Sequence, residues 1–201
     1  YEYKDMKRFL YILLSVLSVQ LSAQDVDFIV KLYRSGLKSE AVLKQAEYLD
    51  SAAKVLGVGS MDFANVKHDL AKVAVKYGDI QTATDLNWDV ALIIRENYSE
   101  DTIAYVKAIN RVAYLYELKG NYVISERMYD ECYRLTKSLE GKNSVLYAQQ
   151  LDYLGRMAEI RDEYAAAEEY YKRSNEILKT KEGEASLVYA HNLADQAHLY
   201  F

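Results

Sequence analysis

The stretch "ELKGNYVISERMYDECYRL" (residues 117–135) recurs in outline on both sides of itself. Forty-two residues earlier stands "AVKYGDIQTATDLNWDVALI" (74–93), with Gly78-Asp79-Ile80 where the first stretch has Gly120-Asn121-Tyr122. Forty-two residues later "EIRDEYAAAEEYYKRSNEI" (159–177) carries Asp162-Glu163-Tyr164 at the same offset. A small hinge, an apolar or aromatic residue and a second small residue at constant spacing mark internal repetition, which decides the architecture before any single element does.

Shifting the chain by this period aligns further positions. Gly36, Gly78, Gly120 and Asp162 form one ladder, and Gly57, Ser99, Gly141 and Gly183 a second, which together account for six of the eight glycines. Ser60, Thr102, Ser144 and Ser186 form a third, followed three residues later by Phe63, Tyr105, Tyr147 and Tyr189. Ala41, Ala83, Ser125 and Ala167 share another register, as do Ala71, Ala113, Gly155 and Ala197.

Each ladder has a physical meaning. A Ser or Thr hydroxyl accepts the free backbone N–H groups of a helix start, so the third ladder reads as N-caps. In "SVLYAQQLDYLGRMAEI" (144–160) the apolar residues then fall at helical spacing. Some eighteen residues after the cap comes the hinge, where a helix ends in a left-handed residue that glycine adopts at no steric cost. A second helix follows, with Met128, Tyr129, Cys132 and Leu135 on one stripe. The unit is a pair of antiparallel helices with a tight turn inside it and a longer loop after it.

The expected layout is a shortened pair at 25–35 and 39–56, full pairs at 60–77 with 81–97, 102–119 with 123–139 and 144–161 with 165–180, and a last helix over 186–201. In domain terms, 24–56 is a partial N-terminal pair and 57–201 holds repeats at 57–98, 99–140, 141–182 and a partial one at 183–201. The small residues inside the first helix of each pair let the second approach closely, beside Leu70, Val112 and Leu154. One pair cannot bury both of its faces, so stability comes from stacking.

Composition agrees with an all-α fold. No proline occurs in the 201 residues and glycine is sparse, whereas β-rich or loop-rich chains need turn residues. The 20 tyrosines suit half-buried surfaces, where the ring packs and the hydroxyl stays wet. A net charge of −5 without a basic stripe argues against nucleic acid as a partner. Cys132 stands alone, so an intrachain disulfide and a cysteine-based metal site are excluded.

The N-terminus is separate from the repeats. "MKRFLYILLSVLSVQLSAQ" (6–24) has a basic start, a short apolar run and small residues at Ser22 and Ala23, the layout of a secretory signal peptide. The run is too short to span a bilayer as a helix of ~20 residues, and no cysteine follows it for a lipid anchor. Residues 1–23 are therefore read as upstream sequence plus signal peptide, and the mature chain as exported, periplasmic or secreted, without a membrane span.

These residues resemble a tetratricopeptide repeat array. The family pattern of a small residue in the first helix, a Gly-Asp/Asn-Tyr turn and an early alanine in the second is met by Ala71 with "GDI" and Ala83, by Ala113 with "GNY" and Ser125, and by Gly155 with "DEY" and Ala167. The period of forty-two is similar to the kinesin-light-chain-like subclass. The departures are the missing proline at the repeat end and Lys67, which stands where a large apolar residue is expected. With the signal peptide, the chain also resembles exported arrays of Bacteroidetes-like bacteria, some of which precede a CHAT-type peptidase or a signalling module.

The resemblance implies an all-α, right-handed α-solenoid of antiparallel helix pairs whose inner wall binds protein or peptide ligands. By register the groove candidates are Asn65, His68 and Lys72 on one helix, Lys107, Asn110 and Tyr114 on the next, and Gln149, Asp152 and Arg156 on the third. Amides and charges at these spacings can hold an extended backbone while Tyr114 offers a flat contact. The bland counterpart is the solvated polar face every surface helix needs. The mixed charge does not reproduce the family's Lys/Asn/Arg clamp for a terminal carboxylate.

Chemistry of other kinds finds no support. His191 and His198 lie seven apart rather than the four of the HExxH pattern, Cys132 shares a register with Val90 and Ser174 as a small packing residue, and there is no phosphate loop or serine elbow. No cofactor, metal or catalytic residue is expected. The reading is a non-catalytic binding scaffold. The alternative is the recognition or oligomerisation region of a larger enzyme or signalling protein continuing past Phe201. The final helix, with Leu193, Ala197 and Tyr200 on its inner stripe, is expected to need cover from more chain or from homodimerisation.

Gly120→Val is expected to destabilise the chain by more than ~1 kcal/mol, because a β-branched residue resists positive φ. An unchanged thermal midpoint would contradict a left-handed hinge at this position.

Overall fold

The computed structural model describes residues 24–197 and Leu199. The segment read as a signal peptide, together with His198, Tyr200 and Phe201, lies outside them. All the regular structure among the described residues is helical: α1 (24–34), α2 (Lys38–Leu56), α3 (Met61–Lys76), α4 (Ile80–Asn97), α5 (Ile103–Leu118), α6 (Tyr122–Leu139), α7 (Val145–Ile160), α8 (Tyr164–Glu182) and α9 (Leu187–Ala197). They form two compact units, one running to Ile93 and one from Ile94, with the division inside α4.

The helix starts follow from local chemistry. Ser60, Thr102 and Ser144 each sit in extended backbone and accept from the amide three residues on, at Phe63, Tyr105 and Tyr147. Ser186 does the same for Tyr189. Each such cap contributes about 1 kcal/mol. At the tight turns Gly78 and Gly120 adopt φ of 74° and 73°, and the amide of Asn121 returns to the carbonyl of Tyr116 at 2.9 Å, closing the helix end in a six-to-one bond. Asp162 takes the same left-handed conformation at φ 62°, a region where Asp and Asn carry a smaller penalty than other side chains. The ladder therefore tolerates a non-glycine at its last rung. The loop ladder holds positive φ as well, including at Ser99.

In the first unit Ile29, Tyr33 and Ala41 are buried, which ties α1 and α2 into the core. The Tyr33 ring stacks on Tyr77 at 5.8 Å and its hydroxyl donates to Asp79 at 3.2 Å. Burial and the Asp79 charge push its phenol up to about 12, so it remains a neutral donor at ordinary pH. Lys67, the misfit of the repeat pattern, is accommodated by its shape. Its stem lies along the protein with the ammonium 5.1 Å from the Phe63 ring centre, and the head reaches Asp89 at 2.6 Å.

The second unit shows how a pair locks together. Hydroxyls and a thiol on the second helices donate to first-helix carbonyls: Ser125 to Ala113 at 2.9 Å, Cys132 to Val106 at 3.5 Å and Ser174 to Ala148 at 2.9 Å. Cys132 and Ser174 occupy one register, and so do their acceptors. Tyr129 and Tyr171 repeat as well, each wholly buried with its hydroxyl on a carboxylate one helix away, Glu117 or Glu159, at 2.9 Å. Tyr171 also explains Gly155, because a Cβ there would stand 2.8 Å from its ring. Nearer the loops, Tyr147, Leu151, Ile177 and Leu178 form a core cluster flanked by Tyr133, Tyr170 and Tyr189.

Gly155→Val is expected to cost about 1–3 kcal/mol by overpacking against Tyr171. Denaturant unfolding of the variant checks this, and Gly155→Val in a Tyr171→Ala background should recover part of its own penalty.

Candidate functional site

A helix paired on one side presents its opposite side to whatever lies beyond, and the candidates from the register fall on the first helix of each pair. In the second unit these are α5 and α7. Lys107 and Tyr114 stand exposed on α5, with Tyr114 at 43 % of its full accessibility. Gln149 and Asp152 on α7 are half-buried. Asn110, on α5 between Lys107 and Tyr114, is buried, with only 8 % exposure, so it supports the wall more than it lines it. Asp152 already accepts a hydrogen bond from Asn192 of α9, whose amide also reaches the Ser174 hydroxyl.

Arg156 has a different role from the one its register suggests. Its guanidinium bonds the Glu117 carboxylate at 3.0 Å and the Tyr129 hydroxyl oxygen at 3.4 Å. It also lies 5.1 Å from the centre of the Tyr153 ring, which itself stacks on Tyr129 at 4.7 Å. Only 28 % of the Arg156 side chain and 16 % of the Glu117 side chain is exposed. Burial works against the guanidinium's charge, yet Glu117 and Tyr129 outweigh it and hold the pKa above the ordinary arginine value. Burial, and then the Glu117 charge, pushes the Tyr129 phenol far up, so it stays protonated and donates to Glu117. The cluster joins α5, α6 and α7, and Arg156 belongs to the framework behind the face.

Glu117, Tyr153 and Asn192 are the residues that register reasoning left out. A signal for the first existed: Glu117 recurs as Glu159 at the same rung where Tyr129 recurs as Tyr171. No spacing announces that Arg156 reaches back to a carboxylate thirty-nine residues earlier.

The remaining three candidates lie on α3 in the first unit. Asn65 and Lys72 are exposed, Lys72 pairing with Asp69 at 2.6 Å, while half-buried His68 places Nδ1 3.2 Å from the Asn87 amide oxygen. Cys132 is fully buried, and burial followed by the charge of Glu131 pushes its thiol far up, the opposite of an activated thiolate. Among the described residues no group of three or more His, Cys, Asp or Glu is placed to share a metal ion, and no helix is long and apolar enough to cross a membrane.

Known proteins match this arrangement. Residues 105–180 fit the family model described as tetratricopeptide repeat. This segment, less than half of the chain, is similar to tetratricopeptide repeats. The crystal structure of BtubC (BKLC) from P. vanneervenii resembles the chain with a TM-score of 0.67 at 17 % identity, covering 91 % of this chain and 77 % of that one. A kinesin-light-chain-type protein of Podosopora anserina with nearly identical TPR-like repeats gives TM-scores of 0.66 and 0.64 in two crystal structures. Both are at 15 % identity, over 91 % of this chain and 86 % of that one. At such identities the likeness speaks for the fold, an all-α tetratricopeptide-type solenoid. No curated protein matches the chain.

Removing one partner of the Arg156 cluster leaves a half-buried charge uncompensated, so Glu117→Ala is expected to lower stability by about 2 kcal/mol. Adding Arg156→Met to Glu117→Ala should return part of that loss, as read from urea midpoints. Two independent, additive penalties would show that the ion pair contributes nothing of its own.

Proposed function

We propose that the second unit binds an extended peptide segment of a partner protein along the uncovered face of α5 and α7, without catalysis. The observation that carries this is Tyr114. It is a large ring left exposed on the first-helix side of the repeat, whereas Tyr105, on the opposite side of the same helix, is buried. An exposed ring on the same register face as Lys107 of α5 and Gln149 and Asp152 of α7 offers apolar contact, with polar groups on that face that can meet main-chain N–H and C=O groups. Because Glu117 occupies Arg156, the face is not a clamp for a terminal carboxylate, and main-chain recognition fits its mixed charge better. A tetratricopeptide scaffold suits such a role in general.

The same proposal places the mature chain outside the cytoplasm, on the strength of the basic start, apolar run and small residues at 6–24.

Peptides selected from a random display library against the chain provide ligands for the test. Tyr114→Ala and Lys107→Ala are each expected to weaken the selected peptides at least tenfold while leaving helicity by circular dichroism unchanged. Undiminished binding to both variants would place recognition elsewhere on the protein.

A further inference from the structure

Tyr133 of α6 and Tyr147 of α7 share a hydrogen bond between their two hydroxyls at 2.8 Å. Their ring centres lie 5.1 Å apart, with the planes tilted by 31°. Hydroxyls closer than ring centres mean that the rings converge at their phenol ends, where the ortho carbons Cε also stand. Two other tyrosine pairs are built differently. Tyr129 with Tyr153 and Tyr33 with Tyr77 stack at 4.7 and 5.8 Å, with planes within 23° and 6° of parallel. The hydroxyls of Tyr129 and Tyr33 go to carboxylates instead.

The surroundings hold the converging pair in place. Tyr147 is buried at 5 % exposure, and half-buried Tyr133, Tyr170 and Tyr189 pack against the cluster to which it belongs. Burial, and then the bond to Tyr133, pushes the Tyr147 phenol up to about 12, so it keeps its proton at ordinary pH. Tyr147 stands in the register of buried Tyr105, away from the face of Tyr114. The pair is therefore separate from the peptide-binding face proposed above.

This geometry has a chemical counterpart. Two phenols that couple oxidatively through their ortho carbons give a biphenol whose hydroxyls hydrogen-bond each other. Tyr133 and Tyr147 already hold their hydroxyls in that relation, so the reacting carbons are brought together before any electron leaves.

We propose that Tyr133 and Tyr147 form a site of oxidative cross-linking, coupled to dityrosine by a diffusible one-electron oxidant such as the small radicals that haem peroxidases release. Each phenol gives up one electron and its hydroxyl proton, and two oxidant radicals each take up one of each. The two tyrosyl radicals join in a new Cε–Cε bond. The hydrogen on each joined carbon then moves to its phenol oxygen, restoring both aromatic rings. The bond ties the second helix of one pair to the first helix of the next. One cysteine in the 201 residues leaves no disulfide to do this. Closing the loop between α6 and α7 restricts the unfolded chain, so the linked protein melts at a higher temperature.

The test illuminates dilute protein with tris(bipyridyl)ruthenium and persulfate, which withdraws single electrons without docking on a tyrosine. Cys132, the residue before Tyr133, is a competing electron donor and is replaced in Cys132→Ser, since the repeat carries Ser174 at that rung. The expected result is dityrosine fluorescence in the monomer fraction and, after proteolysis, a peptide pair joining Tyr133 to Tyr147 with two hydrogens lost. This link should be at least tenfold more abundant than any other between tyrosines. Tyr133→Phe should abolish it while leaving helicity by circular dichroism unchanged. Coupling chiefly at Tyr129 and Tyr153, or between chains at exposed Tyr98, Tyr122 or Tyr164, overturns the proposal. So does an absence of dityrosine, or an undiminished monomer signal in Tyr133→Phe.

Discussion

A buried tyrosine resting on a first helix too small-chained to resist it is the contact on which the second unit depends. Tyr171 lies where Gly155 has no Cβ, and its hydroxyl finds Glu159, so one side chain both sets the approach of two helices and closes its own polar account. Tyr129 repeats the hydroxyl bond at Glu117 one period earlier, where Ala113 holds the rung of Gly155. If these positions carried larger residues, α6 and α8 would stand off, and the short side chains of Ser125, Cys132 and Ser174 would not reach the carbonyls they bond. Burying such donors without partners would cost more than the bonds contribute, so close approach and polar satisfaction stand or fall together.

This arrangement also leaves room for function. Because each second helix is held by side chains that reach one side of its partner, the far side of α5 and α7 owes little to the pair. It can carry Lys107, Tyr114, Gln149 and Asp152 in mixed order without disturbing the core. Arg156 marks the limit of that freedom. It sits in the same register as exposed Tyr114, yet the pull of a half-buried Glu117 and the faces of two tyrosines draw it into the framework. A cation near a desolvated carboxylate is stabilised far more than one in water, so the ion pair prevails over exposure to solvent.

Departures from the repeat show the same logic at single positions. Lys67 replaces an apolar residue and remains compatible because a long stem can lie along the protein while its charge meets Asp89. Asp162 replaces a hinge glycine and keeps the left-handed turn, as a short polar side chain can. Gly155 replaces alanine where Tyr171 would otherwise collide. In each case the replacement preserves the physical requirement of the rung rather than its residue type.

Much of this could be read from the chain alone. The fold class, the caps at Ser60, Thr102 and Ser144, the positive-φ hinges and the helix limits to within a few residues follow from short-range chemistry, which repeats whenever its residues repeat. The same register marks which side of α5 and α7 faces away from the pair. What it does not contain is how far each side chain on that side is drawn inward. Asn110 is buried, Tyr114 is exposed and Arg156 is bound to Glu117, although all three occupy equivalent faces. Those outcomes depend on which groups from other helices come within reach once the pairs have stacked, and on the cost of leaving any of them desolvated without a partner. Periodicity names the face, and only packing in three dimensions decides which of its residues remain available.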